Sequence, residues 1–217
     1  MVNQKFPERQ TPEAKGARIT ANAVSEPRTQ AQRRAGTRAA LLDAARELFA
    51  VHGFAGAARE DIVAAAGVTR GAMYHHFDSK QALFQAVFEI VEGELCDAIA
   101  AAAMTDPDPV EQLRRGARAF LARASTPEVQ RIVLLDAPSV IAPEVRRALS
   151  ERYGLGLVRE SLRTIDAAGR LTLGPIEPLA AITMAAMHEA AIAIADGANR
   201  ADHETVVLAL IDRITSA

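Results

Sequence analysis

The sequence predicts an all-α fold, with a small N-terminal head of three helices joined to a larger helical body. Three observations carry that expectation. Alanine is used heavily and β-branched runs are short, which favours helix over strand. Apolar residues recur at three- and four-residue steps through long stretches, as one buried helical face requires. Several prolines stand directly behind capping residues, where a helix begins without needing its first amide proton.

In chain order, residues 1–35 are polar, contain Pro7, Pro12 and Pro27, and show no sustained apolar period. They read as a flexible basic arm, either a solvated tail or a source of extra polyanion contacts. Thr37 to about His52 forms an amphipathic helix through Leu41, Leu42, Ala45, Leu48 and Phe49. Gly53 stops it, and Phe54 packs under the turn. From about residue 58 to 77, two short helices meet at a tight corner. Ile62, Val63 and Ala66 face inward from the first, and Met73 and Phe77 from the second. Gly67 supplies the positive φ that such a corner needs. Asp78-Ser79 then caps a long helix from Lys80 to about Met104. Its stripe is Phe84, Val87, Phe88, Val91, Leu95, Ile99 and Ala102, and it is roughly 38 Å long at the α-helical rise.

The body is punctuated by prolines. Asp108-Pro109-Val110-Glu111 opens a helix to about Ala124, and Thr126-Pro127-Glu128 opens a shorter one ending near Asp136, which Ala137-Pro138 breaks. Pro143-Glu144 starts another that runs to about Ile165, with Gly154 and Gly156 placed to kink it. Two final helices are expected over about 178–196 and 200–216. The first is apolar on two sides, through Leu179, Ile182, Ala186, Ala190 and Ala193 and through Met184, Met187, Ala191 and Ala195. A helix of that kind near a chain end is buried either inside a large monomer or against a second copy. Homodimerisation through residues about 178–216, as a four-helix bundle, is the economical solution.

Charge is distributed unevenly. The net charge of −2 hides a value of +4 over residues 1–36, zero over 37–80 and −6 over the remainder. A basic front and an acidic back suit polyanion binding by the front alone. Cys96 is the single cysteine, so neither an intrachain disulfide nor a cysteine metal cluster is available, and a reducing compartment fits. The N-terminus lacks the apolar core of a signal peptide. The apolar stretch around Ala180–Ala195 is interrupted by His188-Glu189 and is short for a bilayer, so a cytoplasmic protein without membrane contact is expected. No zinc-protease motif, phosphate-binding glycine loop or nucleophile elbow is present, and the histidines form no metal set. No cofactor, metal or catalytic residue is expected.

Thr69 is placed to cap the second helix of the corner, leaving Arg70, Gly71, Tyr74 and His75 along its outer side. A cation, a small residue and aromatic hydrogen-bonding groups at that spacing suit a DNA groove. Residues 37–54 (TRAALLDAARELFAVHGF), 61–77 (DIVAAAGVTRGAMYHHF) and 79–84 (SKQALF) resemble the DNA-binding domain of the TetR family of bacterial transcriptional regulators. Residues 134–157 (LLDAPSVIAPEVRRALSERYGLGL) are similar to the ligand-binding half of one group within it. The resemblance implies a head over 36–96 and a ligand-binding and dimerisation body over 97–217. It also implies a repressor that binds a palindromic operator as a dimer and leaves it when a small molecule enters the body.

By the same resemblance, Thr69, Arg70, Gly71, Tyr74 and His75 fall at DNA-contact positions, with Arg70 the candidate base reader. Tyr74 and His76 position the phosphate backbone, Lys80 matches a phosphate-contacting lysine, and Arg38 adds a backbone contact. Arg46 reads as a solvated face. The chain departs from the family where the second helix starts. Ala55-Gly56-Ala57-Ala58-Arg59 offers no hydroxyl to cap the helix, and Arg59 is the candidate to replace its phosphate contact by charge. Candidate effector-lining residues are Phe120, Leu121, Tyr153, Leu157, Met184 and His188. Few buried charges are expected, which favours an apolar or aromatic effector. The competing readings are a helical small-molecule-binding enzyme and a protein-interaction adaptor with a DNA-binding-like head.

Overall fold

The computed structural model describes residues 29–216, and most of the expected basic arm lies outside them. Among the described residues every regular element is helical apart from an isolated antiparallel bridge between Leu171 and Thr215. Helix α1 spans Gln30–Gly56 and so begins before the expected Thr37. The reason is a capping box. Thr29 Oγ1 accepts from the Gln32 amide at 3.2 Å, and Gln32 Oε1 accepts from the Thr29 amide at 2.8 Å. Residues 30–35, placed in the arm on composition, are therefore helix. Gly53 breaks α1 as expected, at φ 69° and ψ 175°.

Helices α2 (Arg59–Ala65) and α3 (Arg70–His76) complete the head, with Gly67 at φ +64° in the corner. Their inward residues Ile62, Met73 and Phe77 pack with Leu41, Leu42, Ala45 and Phe49 of α1. The first turns of α4 (Lys80–Ala103) close this core through Leu83 and Phe84. Phe84 meets Phe49 and Phe54 edge-on, with centroids 5.1 and 5.3 Å away, which is a favourable ring geometry.

In the body, α5 (Pro109–Ala124) lies along α4. The next helix does not end at Asp136. A short α6 (Pro127–Val129) runs into a π-helical segment, Gln130–Asp136, and then into α7 (Ala137–Val140). The expected break at Ala137-Pro138 is absent because Pro138 occupies the first turn of α7, where its missing amide proton is no loss. The expected long helix from Pro143 divides completely into α8 (Pro143–Arg152) and α9 (Gly154–Ala167). Tyr153, at φ −113° and ψ −103°, separates them.

Helices α10 (Ile176–Ala195) and α11 (Arg200–Ile214) end the body. At 20 residues, α10 is by length and composition long enough to cross a membrane, which corrects the sequence reading of it as too short. It packs instead on α9, α5, α11 and the π-helical segment, burying Leu179, Ala180, Met187, Ala190, Ala191 and Ile194. Its other side stays uncovered in the single chain, with Ile182 66% exposed beside Val206 and Leu210 of α11 at 60% and 49%.

Candidate nucleic-acid interface and body cavities

Helix α3 presents a cationic outer face. Thr69 caps it by accepting from the Ala72 amide at 3.2 Å, so its own side chain supports the helix start. Arg70, Tyr74 and His75 are exposed, with the Arg70 guanidinium 5.8 Å from the Tyr74 ring centroid. Arg70 also lies 3.8 Å from Glu60, an ion pair with both side chains 66% exposed and so largely screened. Gly71 is open: a Cβ there would meet only Thr69 Oγ1, at 4.0 Å. Internal packing therefore does not demand glycine at this position, whereas close approach to a partner surface would use it.

Neighbouring elements bring further cations to the same side of the head. Arg59 of α2 donates to the Tyr74 hydroxyl at 3.0 Å, which links the two helices. Arg38 of α1 lies over the Phe77 ring at 5.3 Å. His76 is only partly accessible, and its pKa is lowered by burial first and then by the charges of Arg34, His75 and Arg38. Lys80 is turned inward. Its ammonium donates to the Ala57 carbonyl at 2.9 Å and sits 4.5 Å over the Phe54 ring. Burial and the charge of Arg59 lower its pKa. Ala58 occupies the N-cap of α2 without a side-chain bond, and Glu60 and Asp61 in the first turn complement the helix dipole instead.

Arg46 is not a solvated face residue. It donates to Glu128 of α6 and, through both terminal nitrogens, to Glu94 of α4 at 2.9 and 2.6 Å. These bonds hold its pKa above even the usual arginine range, with Glu128 the larger influence. A second tie lies nearby. The Phe54 amide donates to Asp136 Oδ2 at 2.6 Å, and Arg131 approaches the same carboxylate at 3.3 Å. Glycine is favoured at position 53 by its φ of +69°, and a Cβ there would also displace the flexible Arg131 guanidinium, 2.2 Å away. The end of the head's first helix is thus fastened to the π-helical segment.

Two cavities meet inside the body. The inner one, of about 60 Å³, lies among α4, α5 and α9 and includes Phe120 and Leu157. The outer one, of about 360 Å³, is walled by Phe88, Val133, Leu134, Leu155, Arg146 and His188, among others. Glu92 and Met184 line both and stand between them. Of the expected lining residues, Phe120, Leu157, Met184 and His188 reach a cavity. Leu121 is fully buried in the general core, and Tyr153 lines neither cavity. His188 stacks on Phe120 with centroids 5.7 Å apart, and its pKa is lowered by burial and then by the charge of Arg146.

Sequence reasoning missed Glu92. It is only 7% exposed, its Oε2 has no hydrogen-bond partner, and burial raises its pKa to about 7. It is the one buried charged side chain among the described residues, so buried charges are few, as expected, but this one falls at the cavities. The available signal was its register, four residues after Phe88 and three before Leu95 on the buried stripe. Cys96, beside the inner cavity, has its thiol pushed up to about 12 by burial first and by Glu92 and Asp97 second, which makes it inert as a nucleophile. Among the described residues no cluster of three His, Cys, Asp or Glu side chains is placed to hold a metal.

Two family models match the chain. The one described as "Bacterial regulatory proteins, tetR family" covers residues 41–87, and "Tetracyclin repressor-like, C-terminal domain" covers 110–217. A crystal structure of a TetR-family transcriptional regulator from Pectobacterium atrosepticum is 31% identical. It superposes with a TM-score of 0.72 over 88% of this chain and 99% of its own. The HTH-type transcriptional repressor KstR2 of Rhodococcus jostii is 45% identical over 64 residues, 30% of each chain, so the likeness to this curated relative spans under a third of its length. RolR in complex with resorcinol, 22% identical with a TM-score of 0.66 over 87% of this chain and 91% of its own, shares the fold.

Proposed function

Because the chain belongs to the TetR family of bacterial regulatory proteins, we propose that it is a cytoplasmic transcriptional repressor that binds a palindromic operator as a homodimer and leaves it when a small molecule fills the body. The observation that carries this reading is the exposed face of α3. Arg70, Gly71, Tyr74 and His75 stand outside the head's buried core, and only Tyr74 is tied to a neighbouring helix by a hydrogen bond. Arg70 reads a base, since a guanidinium can bond guanine bidentately in the major groove. Arg38 and Arg59 supply phosphate contacts, which set register without reading sequence. Lys80 adds charge at the backbone while anchoring the start of α2.

Dimerisation is supported by the uncovered apolar side of α10 and α11. Ile182, Val206 and Leu210 lie exposed along these helices and suit a self-complementary bundle. The effector site is the outer cavity, whose volume falls in the ordinary range for small-molecule sites. RolR's resorcinol complex lends only the fold at that identity. What this chain offers is a connection. Val133 and Leu134 of the π-helical segment wall the cavity, while Arg131 and Asp136 of the same segment hold the end of α1. A ligand that shifts this segment moves the head, provided it binds the two arrangements with different affinity.

Footprinting on DNA beside its own gene tests the reading. A dimer should protect two related half-sites, with affinity falling steeply as salt rises. A folded, dimeric sample that protects no inverted repeat would overturn it.

A further inference from the structure

Glu92 sits between the two cavities, and among the described residues no side chain bonds its Oε2. Its side chain is more than nine-tenths buried, and it lines both spaces. Among the described residues no cation pairs with it. The inner cavity has no basic lining residue, and the outer one has Arg146, whose side chain is exposed and makes no ion pair with Glu92. His188 is held toward its neutral form by burial and by Arg146. A carboxyl group in such a place destabilises the empty protein and invites a partner from outside.

We propose that Glu92 anchors an apolar ligand bearing a protonated amine, whose hydrocarbon or aromatic body fills the outer cavity while its ammonium donates to the Glu92 carboxylate. This rests on the reading of the body as an effector-binding module. A neutral hydroxyl would satisfy one lone pair but leave the charge uncompensated. A ligand carboxylate would be repelled. An ammonium supplies both donor and opposite charge to a carboxylate oxygen that no side chain of the described residues bonds. Met184 is the movable part of the wall. Its Sδ–Cε end packs so closely over Gly154 that a Cβ there would stand 2.4 Å from Cε. The flexible thioether can swing aside and open the inner cavity to the tail of a longer amine.

Thermal melting of the full chain with phenylbutylamine, phenylbutanol and phenylbutyrate tests the assignment, because the three share shape and differ in head group. Fluorescence anisotropy on operator DNA is read in parallel. The amine should raise the melting temperature most. Glu92→Gln, nearly isosteric and relieved of a buried charge, should fold and lose at least about tenfold in amine affinity, with phenylbutanol unaffected. No stabilisation by the amine at millimolar concentration overturns the proposal. So does equal stabilisation by the alcohol or the acid, or undiminished amine binding by Glu92→Gln. If the amine binds through Glu92 yet the operator stays bound, the ligand assignment stands and release by this site falls. If the alcohol or acid releases DNA equally from native protein and Glu92→Gln, release stands and the amine assignment falls.

Discussion

Arg46 on α1 donates through Nε to Glu128 Oε1 on α6 at 2.5 Å, tying the DNA-binding head to the body across 82 residues of sequence. The same guanidinium bonds Glu94 on α4, so one side chain spans three elements. Oriented polar contacts thus join head and body alongside the apolar core that the two share. Such contacts have two well-defined states, made or broken, and suit a switch better than continuous apolar packing does.

The strength of that tie is measurable. Both side chains are about 30% exposed, at 29% and 33%, so solvent screens part of the attraction. A double-mutant cycle with Arg46→Met and Glu128→Gln should give a coupling of about 1 kcal/mol in chemical denaturation. It should shrink in high salt. A coupling indistinguishable from zero would mean that the pair does not hold the head.

The start of α2 is a weak point that a single hydroxyl should mend. Ala58 is exposed and extended at φ −72° and ψ 147°, the geometry of an N-cap, and it has no side-chain bond to give. Ala58→Thr should stabilise the head by about 1 kcal/mol, seen as a higher melting temperature. Glu60 and Asp61 already favour this helix end, so the gain falls short of the largest known caps. Unchanged or lower melting would refute the missing-cap account.

Arg70 and Lys80 should part company when each is replaced by alanine. Arg70 is exposed and makes only solvent-screened approaches to Glu60 at 3.8 Å and to the Tyr74 ring at 5.8 Å, so Arg70→Ala should leave melting unchanged while flattening the preference among operator variants. Lys80 holds the Ala57 carbonyl, so Lys80→Ala should weaken all DNA sequences alike and also lower melting. Binding assays on native and single-base-changed operators, with melting curves beside them, separate the two. Uniform loss from both substitutions would undo the division of roles.

What was legible in the sequence was local. The stripe of Leu41, Leu42, Ala45 and Phe49, the corner glycine Gly67 and the cap Thr69 act within a few residues of themselves, so periodicity and turn chemistry reveal them. The role of Arg46 was hidden because both its partners are distant in sequence. The early start of α1 was missed because its face over 30–36 is exposed and carries no apolar stripe, although the Thr29–Gln32 box was in plain view. The π-helical segment was illegible because Pro138, read as a breaker, falls in a first turn where proline is tolerated. Glu92 escaped because a stripe search scores apolar residues and passes over the acid among them.

That acid should write its own signature into the stability of the empty protein. Its pKa rises from the ordinary 4.5 to about 7 on folding, through burial. Below pH 4.5 the carboxyl is protonated in both states and costs nothing electrostatically. Between pH 4.5 and 7 the folded state holds the proton that the unfolded state has lost, so stability falls as pH rises. Above pH 7 the penalty is constant, on the order of 3 kcal/mol at most. Glu92→Gln removes the titration and leaves every other group in place. The difference in unfolding free energy between variant and native protein should therefore grow from pH 4.5 to 7 and then level off, with the variant the more stable. Urea unfolding across that range reads it directly. A flat difference would show that Glu92 finds a partner or water in solution, and would remove the energetic reason for it to seek a ligand.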